Sequence, residues 1–126
     1  MTVPAIDYPI EIVAVQDEAR AFAAAALADE TAHDTYLVGT GEQATLAEIV
    51  ELVQEVVPGA ELTLGASRGD DQLVRRPPSD TSRIREDLGW EPQFTLRETI
   101  EAYVEWLRDN PADWSFDAAD VPWGDD

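Results

Sequence analysis

Apolar positions recur along the chain in short runs of two different periods, separated by polar and glycine-containing breaks. Near the start, "PIEIVAV" (residues 9–15) is rich in β-branched side chains and predicts a strand. Asp17 follows where it can N-cap a helix, and Ala19, Phe22, Ala23, Ala26 and Leu27 then share one helical face. "TYLV" (residues 35–38) predicts a second strand, ended by Gly39 and Gly41. Thr45 and Glu48 have the spacing of a capping box, and the helix they open gathers Leu46, Ile49, Val50, Val53, Val56 and Val57. Pro58-Gly59 stops that helix, and "AELTLG" (residues 60–65) predicts a third strand.

Residues 66–79 show no period and predict an irregular loop. Asp80 or Thr81 then caps a short helix with Ile84 and Leu88 inward and Gly89 at its C-terminal stop. "WEPQF" is an extended connection, because the residue before a proline avoids the helical region. Thr95 and Glu98 make a second capping box, and Leu96, Ile100, Tyr103, Val104 and Leu107 stripe the last helix before Pro111. The pattern predicts one small α/β domain over residues 1–110, with about three short strands and four helices. An acidic, Trp-containing tail follows over residues 111–126.

Charge changes this picture more than any other total. Among 126 residues there are 27 acids against 8 basic residues, a net of −19, and every basic residue is arginine. Such a surface repels nucleic acid and anionic membranes, so neither is an expected partner. The acids are spread along the chain rather than blocked into a tail, which suits the cytoplasm of a halophile, where salt screens the self-repulsion. With no cysteine, disulfides and thiolate metal sites are excluded. The single histidine, His33, stands in a polar stretch with no second imidazole nearby and reads as a solvated loop residue. Asp70-Asp71 alone is too few ligands for a metal site, and none is expected.

"YLVGTGEQATLAEIV" (residues 36–50) has the outline of a dinucleotide fingerprint, with Gly39-x-Gly41-x-x-Ala44 between a strand and a helix. The chemistry requires the helix to start at the second glycine, so that its amides face a pyrophosphate. Here the capping box starts it near Leu46, and the acid of the next strand, Glu61, stands at its beginning rather than its end. The loop therefore reads as a turn and a cap, not as a cofactor site.

Taken in order, "VAVQDEARAF", the glycine loop with its helix, and "RRPPSDTSRIREDLGWEPQFTLRETIEAYVEWL" resemble the C-terminal part of extended short-chain dehydrogenase/reductases. These are the NAD-dependent sugar-nucleotide epimerases and dehydratases. Asp80, Ser82, Leu88, Gly89, Trp90 and Pro92 fall on the family pattern, and the resemblance runs from Ile10 to Leu107.

The resemblance implies a domain that closes over the diphosphate of a nucleotide sugar. In "SRGDDQLVRRPPSD" it assigns Arg68, Arg75 and Arg76 to the diphosphate and Asp70 to the nucleotide's sugar. Arginine suits the first role because its planar fork matches phosphate oxygens. Arg75 and Arg76 also have a plainer reading, as local offsets to neighbouring acids. The family's Tyr-x-x-x-Lys pair has no counterpart, since the chain has no lysine, and Tyr8, Tyr36 and Tyr103 receive no catalytic role. The family's NAD site belongs to an N-terminal Rossmann domain, so NAD is expected only in company with one. A further departure is Ile10, which stands where many members carry a phosphate-gripping arginine. The expected function is a nucleotide-sugar-binding, catalytically incomplete domain. The alternative is a non-catalytic interaction module, either a homodimer or the partner of a separate Rossmann chain.

Overall fold

A computed structural model describes residues 2–5, 9–67 and 76–111. The order of elements is β1 (Thr2–Ala5), α1 (Val15–Leu27), α2 (Leu46–Val56), β2 (Thr63–Ser67), α3 (Ser82–Leu88) and α4 (Leu96–Asp109). The expected α/β class and four helices are observed among the described residues, and β2 overlaps the predicted third strand over residues 63–65, whereas the first two apolar runs form no named strand and β1 lies before them. β1 and β2 pair in parallel, with Thr2 opposite Thr63 and Val3 opposite Leu64, across a crossover that contains α1 and α2. In the "PIEIVAV" run only Ile10 pairs, in an isolated antiparallel bridge to Ala44, and Val15 already belongs to α1. The "TYLV" run belongs to no strand and has no ladder partner among the described residues. The tail of residues 112–126 lies outside the described residues.

Three of the helix signals act as their local chemistry dictates. At α2 and at α4 the Thr45 and Thr95 hydroxyls accept from the amides of Glu48 and Glu98, whose carboxylates accept in return from the Thr amides. Gly89 ends α3 in the left-handed conformation (φ 63°), where a side chain would be strained. Asp80 caps α3 from one residue further out, its carboxylate accepting from Ser82 N at 3.0 Å, while Thr81 makes no side-chain cap.

Asp17 does not cap α1. Ala14 is the N-cap, and Asp17 lies inside the first turn, fully buried. Its carboxylate accepts from the amides of Gln93 and Phe94 at 3.1 Å and lies 3.2 Å from the Arg20 guanidinium. Its backbone carbonyl accepts from the Trp90 indole at 3.0 Å. The Arg20 guanidinium also donates to the Glu91 carbonyl. The first turn of α1 thus clamps the extended connection that leads into α4.

The core centres on Ala21, Ile84 and Trp90, with Tyr36, Val38 and Leu88 packed around them. α1 reaches this cluster through Ala21, so its inner face is the one carrying Asp17 and Ala21. The expected stripe of Ala19, Phe22, Ala23, Ala26 and Leu27 is exposed. The amphipathic period was right, but its apolar side finds no cover among the described residues. α2 joins α4 through the ion pair of Arg97 with Glu55, and Gln54 Nε2 donates to the Leu62 carbonyl (3.1 Å) just before β2.

Candidate functional site

The glycine loop is built around a carboxylate that sequence reasoning passed over. Glu11 accepts from Gly41 N at 2.8 Å and from Ser79 N at 2.9 Å, with the Thr40 hydroxyl at 3.4 Å. Three segments far apart in sequence meet at this one side chain. The signal was present: Glu11 is the single acid inside an otherwise apolar run, where a charge persists only if something receives it.

Both glycines are explained by that junction. Gly41 has φ +75°, a conformation that glycine adopts without strain. At Gly39 a Cβ would collide with Glu11 Oε1 and lie 2.6 Å from Ser79 Cβ, so the backbone must come this close. The amide that a phosphate would need at Gly41 is already occupied by Glu11, and α2 begins at Leu46. The residues present therefore do not fit an NAD pyrophosphate, in agreement with the turn-and-cap reading.

Partial burial alone would raise the Glu11 pKa. The hydrogen bonds from Gly41, Ser79 and Thr40 outweigh it and hold the carboxyl below its ordinary 4.5. A depressed carboxylate stabilises the fold above the unfolded-state value, and that contribution disappears as the pH falls through its own lower pKa. Gly39→Ala is expected to destabilise by about 1–3 kcal/mol through overpacking. At neutral pH Glu11→Gln is also expected to destabilise, and its deficit against the native chain should shrink in acid. Urea unfolding of the three proteins at neutral pH and near pH 3 in molar KCl checks both. A Glu11→Gln deficit independent of pH would remove the anchor from the account.

Of the four residues assigned to a nucleotide sugar, Arg76 falls within the described chain. Arg68, Asp70 and Arg75 lie outside the described residues. Arg76 is exposed, and its carbonyl accepts from Gln43 Nε2 at 3.0 Å, which sets it beside the glycine loop. A small cleft of about 80 Å³ adjoins the same loop, lined by Ile10, Ile12, Thr40, Gln43, Phe94 and Leu96 among others. It has room for a few water molecules only, whereas ligand pockets run to roughly 300–1,000 Å³. Ile10 puts an apolar wall there.

The remaining candidates have structural partners. His33 is exposed as expected but not merely solvated, since Nδ1 lies 2.6 Å from Asp87 Oδ2 and fastens its loop to α3. The Tyr36 hydroxyl donates to the same carboxylate at 3.0 Å and accepts from His33 N at 3.2 Å. His33 first, then Tyr36, holds Asp87 below the usual carboxylate range. Tyr103 stacks on Trp106 at 6.1 Å between ring centroids. Among the described residues no helix is long and apolar enough to cross a membrane.

No family model matches the chain. Over 72 residues, 56% of this chain, it is 35% identical to UDP-glucuronic acid decarboxylase 1 of Arabidopsis thaliana, covering 16% of that protein. It is 34% identical over 73 residues to GDP-L-fucose synthase 1 of the same plant, covering 58% of this chain and 22% of that one. Among solved structures, UDP-glucose 4-epimerase of Thermotoga maritima, crystallised with UDP-glucose, superposes with a TM-score of 0.71 at 28% identity. The chain resembles the NAD-dependent epimerases and dehydratases in sequence and in fold. That superposition takes in 89% of this chain but 36% of the epimerase, so the chain spans a minor part of the proteins it matches. The likeness runs through both the fold and the sequence, as the ordered motifs between Ile10 and Leu107 led us to expect.

Proposed function

We propose that this epimerase/dehydratase-family chain is a nucleotide-sugar-binding region that supplies the arginines facing the substrate's diphosphate. The observation that carries the reading is the likeness to the Thermotoga UDP-glucose 4-epimerase, whose structure contains UDP-glucose. The matched UDP-glucuronic acid decarboxylases point to the same substrate class. Arg68, Arg75 and Arg76 take the diphosphate and Asp70 the nucleotide's sugar. Turnover requires a Tyr/Lys pair and an NAD site from elsewhere, since this chain has no lysine and its glycine loop is filled by Glu11. Its setting is the salt-rich cytoplasm of a halophile, where the acidic surface is screened.

Isothermal titration with UDP-glucose and UDP-glucuronate in molar KCl tests the reading. Losing two charge-assisted contacts should weaken binding more than about tenfold in an Arg75→Ala, Arg76→Ala variant. Absence of heat from both proteins would remove the binding claim.

A second reading has its own observation. The outward face of α1 is apolar and uncovered among the described residues, which favours an interaction module that docks against another protein surface.

A further inference from the structure

Arg76 is exposed, yet its backbone is tied down from two directions. Its own carbonyl accepts from Gln43 Nε2 at 3.0 Å, which fixes the chain to the glycine loop at that residue. Beyond it, Ser79 N donates to Glu11 Oε2 at 2.9 Å. Between these two ties stand Pro77 and Pro78. Each ring locks its own φ, and each proline keeps the residue before it out of the helical region. Restriction therefore runs without a break from Arg76 to Pro78, and a tie at Ser79 is felt at the arginine. Flexible residues in the same place would absorb the loss of that tie before it reached Arg76.

The far ends of the two ties belong to one junction. Ile10 and Ala44 form an antiparallel bridge, with Ile10 N donating to Ala44 O at 2.8 Å and Ala44 N to Ile10 O at 2.9 Å. Glu11 follows the first bridge residue and Gln43 precedes the second. The other oxygen of Glu11 accepts from Gly41 N at 2.8 Å, which closes the junction across the loop.

We propose that Glu11 and Gln43 are positioning residues for Arg76, fixing the backbone from which its guanidinium meets the diphosphate of a nucleotide sugar. This assignment deepens the nucleotide-sugar reading and rests on it. Neither side chain touches the ligand. An arginine with an ordered backbone gives up less freedom on binding, so losing either tie weakens affinity without deleting a contact.

The test is nitrogen-15 relaxation and UDP-glucose titration in molar KCl on the native chain, Glu11→Gln, Gln43→Ala and Gly89→Ala. Gly89→Ala strains the left-handed stop of α3 (φ 63°) and leaves both ties, so it controls for lost stability alone. The Arg76 amide order parameter is expected near about 0.85 in the native chain and the control, and below about 0.6 in both tie variants. The Kd for UDP-glucose should rise about three- to tenfold in each tie variant and stay within about twofold in the control. Removing a negative charge would by itself tighten anion binding in Glu11→Gln, so the sign of the change separates positioning from charge. Gln43→Ala carries the test if Glu11→Gln fails to fold, because Gln43 is outside the core cluster. Unchanged Arg76 order in Gln43→Ala, equal loosening in Gly89→Ala, or tighter binding by Glu11→Gln would overturn the assignment. Loosening of Arg76 in both tie variants, with no UDP-glucose binding by the native chain, would instead overturn the nucleotide-sugar reading, and with it the ligand named here, while the two ties stand.

Discussion

Asp17→Ala is expected to lower the stability of this chain by about 2–5 kcal/mol, since two part-buried amides would lose their acceptor at roughly 1–3 kcal/mol each. The removed carboxylate is fully buried and receives Gln93 N and Phe94 N. Removing one member of a buried ion pair can by itself cost about 3–5 kcal/mol, but that figure needs discounting, because the Arg20 side chain is 34% exposed and water recovers part of its charge. Against a typical total of about 5–15 kcal/mol the loss is large. Guanidinium unfolding in molar KCl measures it, with a midpoint shift at unchanged slope as the expected form. Asp17→Asn keeps an oxygen for one amide and should fall between native and alanine. If the alanine variant unfolded with the native midpoint, the clamp between α1 and α4 would contribute nothing.

The second large effect concerns salt. At about 10 mM salt the screening length is roughly 30 Å, so the net charge of −19 acts across the whole domain. In molar KCl it shrinks to about 3 Å. We expect the far-UV helical signal to be lost at the low value and regained at the high one. The described ion pairs cannot offset the excess, because cations are few and Arg97 already serves both Glu55 and Glu101. Potassium chloride and potassium sulfate at equal ionic strength separate the causes. Equal recovery points to screening, whereas a marked advantage for sulfate points to strengthened apolar burial. Full structure at the low salt would end the halophile reading.

How legible each feature was in the sequence depends on how far apart its partners lie. The capping boxes at Thr45 and Thr95 and the stop at Gly89 involve residues within one turn, so their spacing alone was sufficient. Asp17 was misread as a cap because its donors lie 76 and 77 residues away, and no local pattern reports them. Glu11 escaped notice for the same reason, being joined to Gly41 and Ser79 over 30 and 68 residues. The parallel pairing of β1 with β2 is equally non-local, and a proline inside "TVPA" hid the first strand. The stripe on α1 was visible from its period, but period gives no direction: only packing decided that Ala21 faces the core and Phe22 does not. At the candidate site, the ordered motifs carried the family resemblance, whereas the arrangement of the glycine loop depended on a carboxylate from another segment.

The Asp17 clamp also bears on how the chain reaches its native state. The connection it holds cannot be fixed until a loop of more than seventy residues has closed, and closure entropy must be met before the reward arrives. α4 can form early as an isolated, fluctuating helix, helped by its capping box, but its seating belongs to the late stages of folding. A nascent or truncated chain that ends before Gln93 would hold a buried carboxylate with no amides to receive it. Such a species has reason to keep the first turn of α1 open, which makes completion of the last helix the step that commits the first.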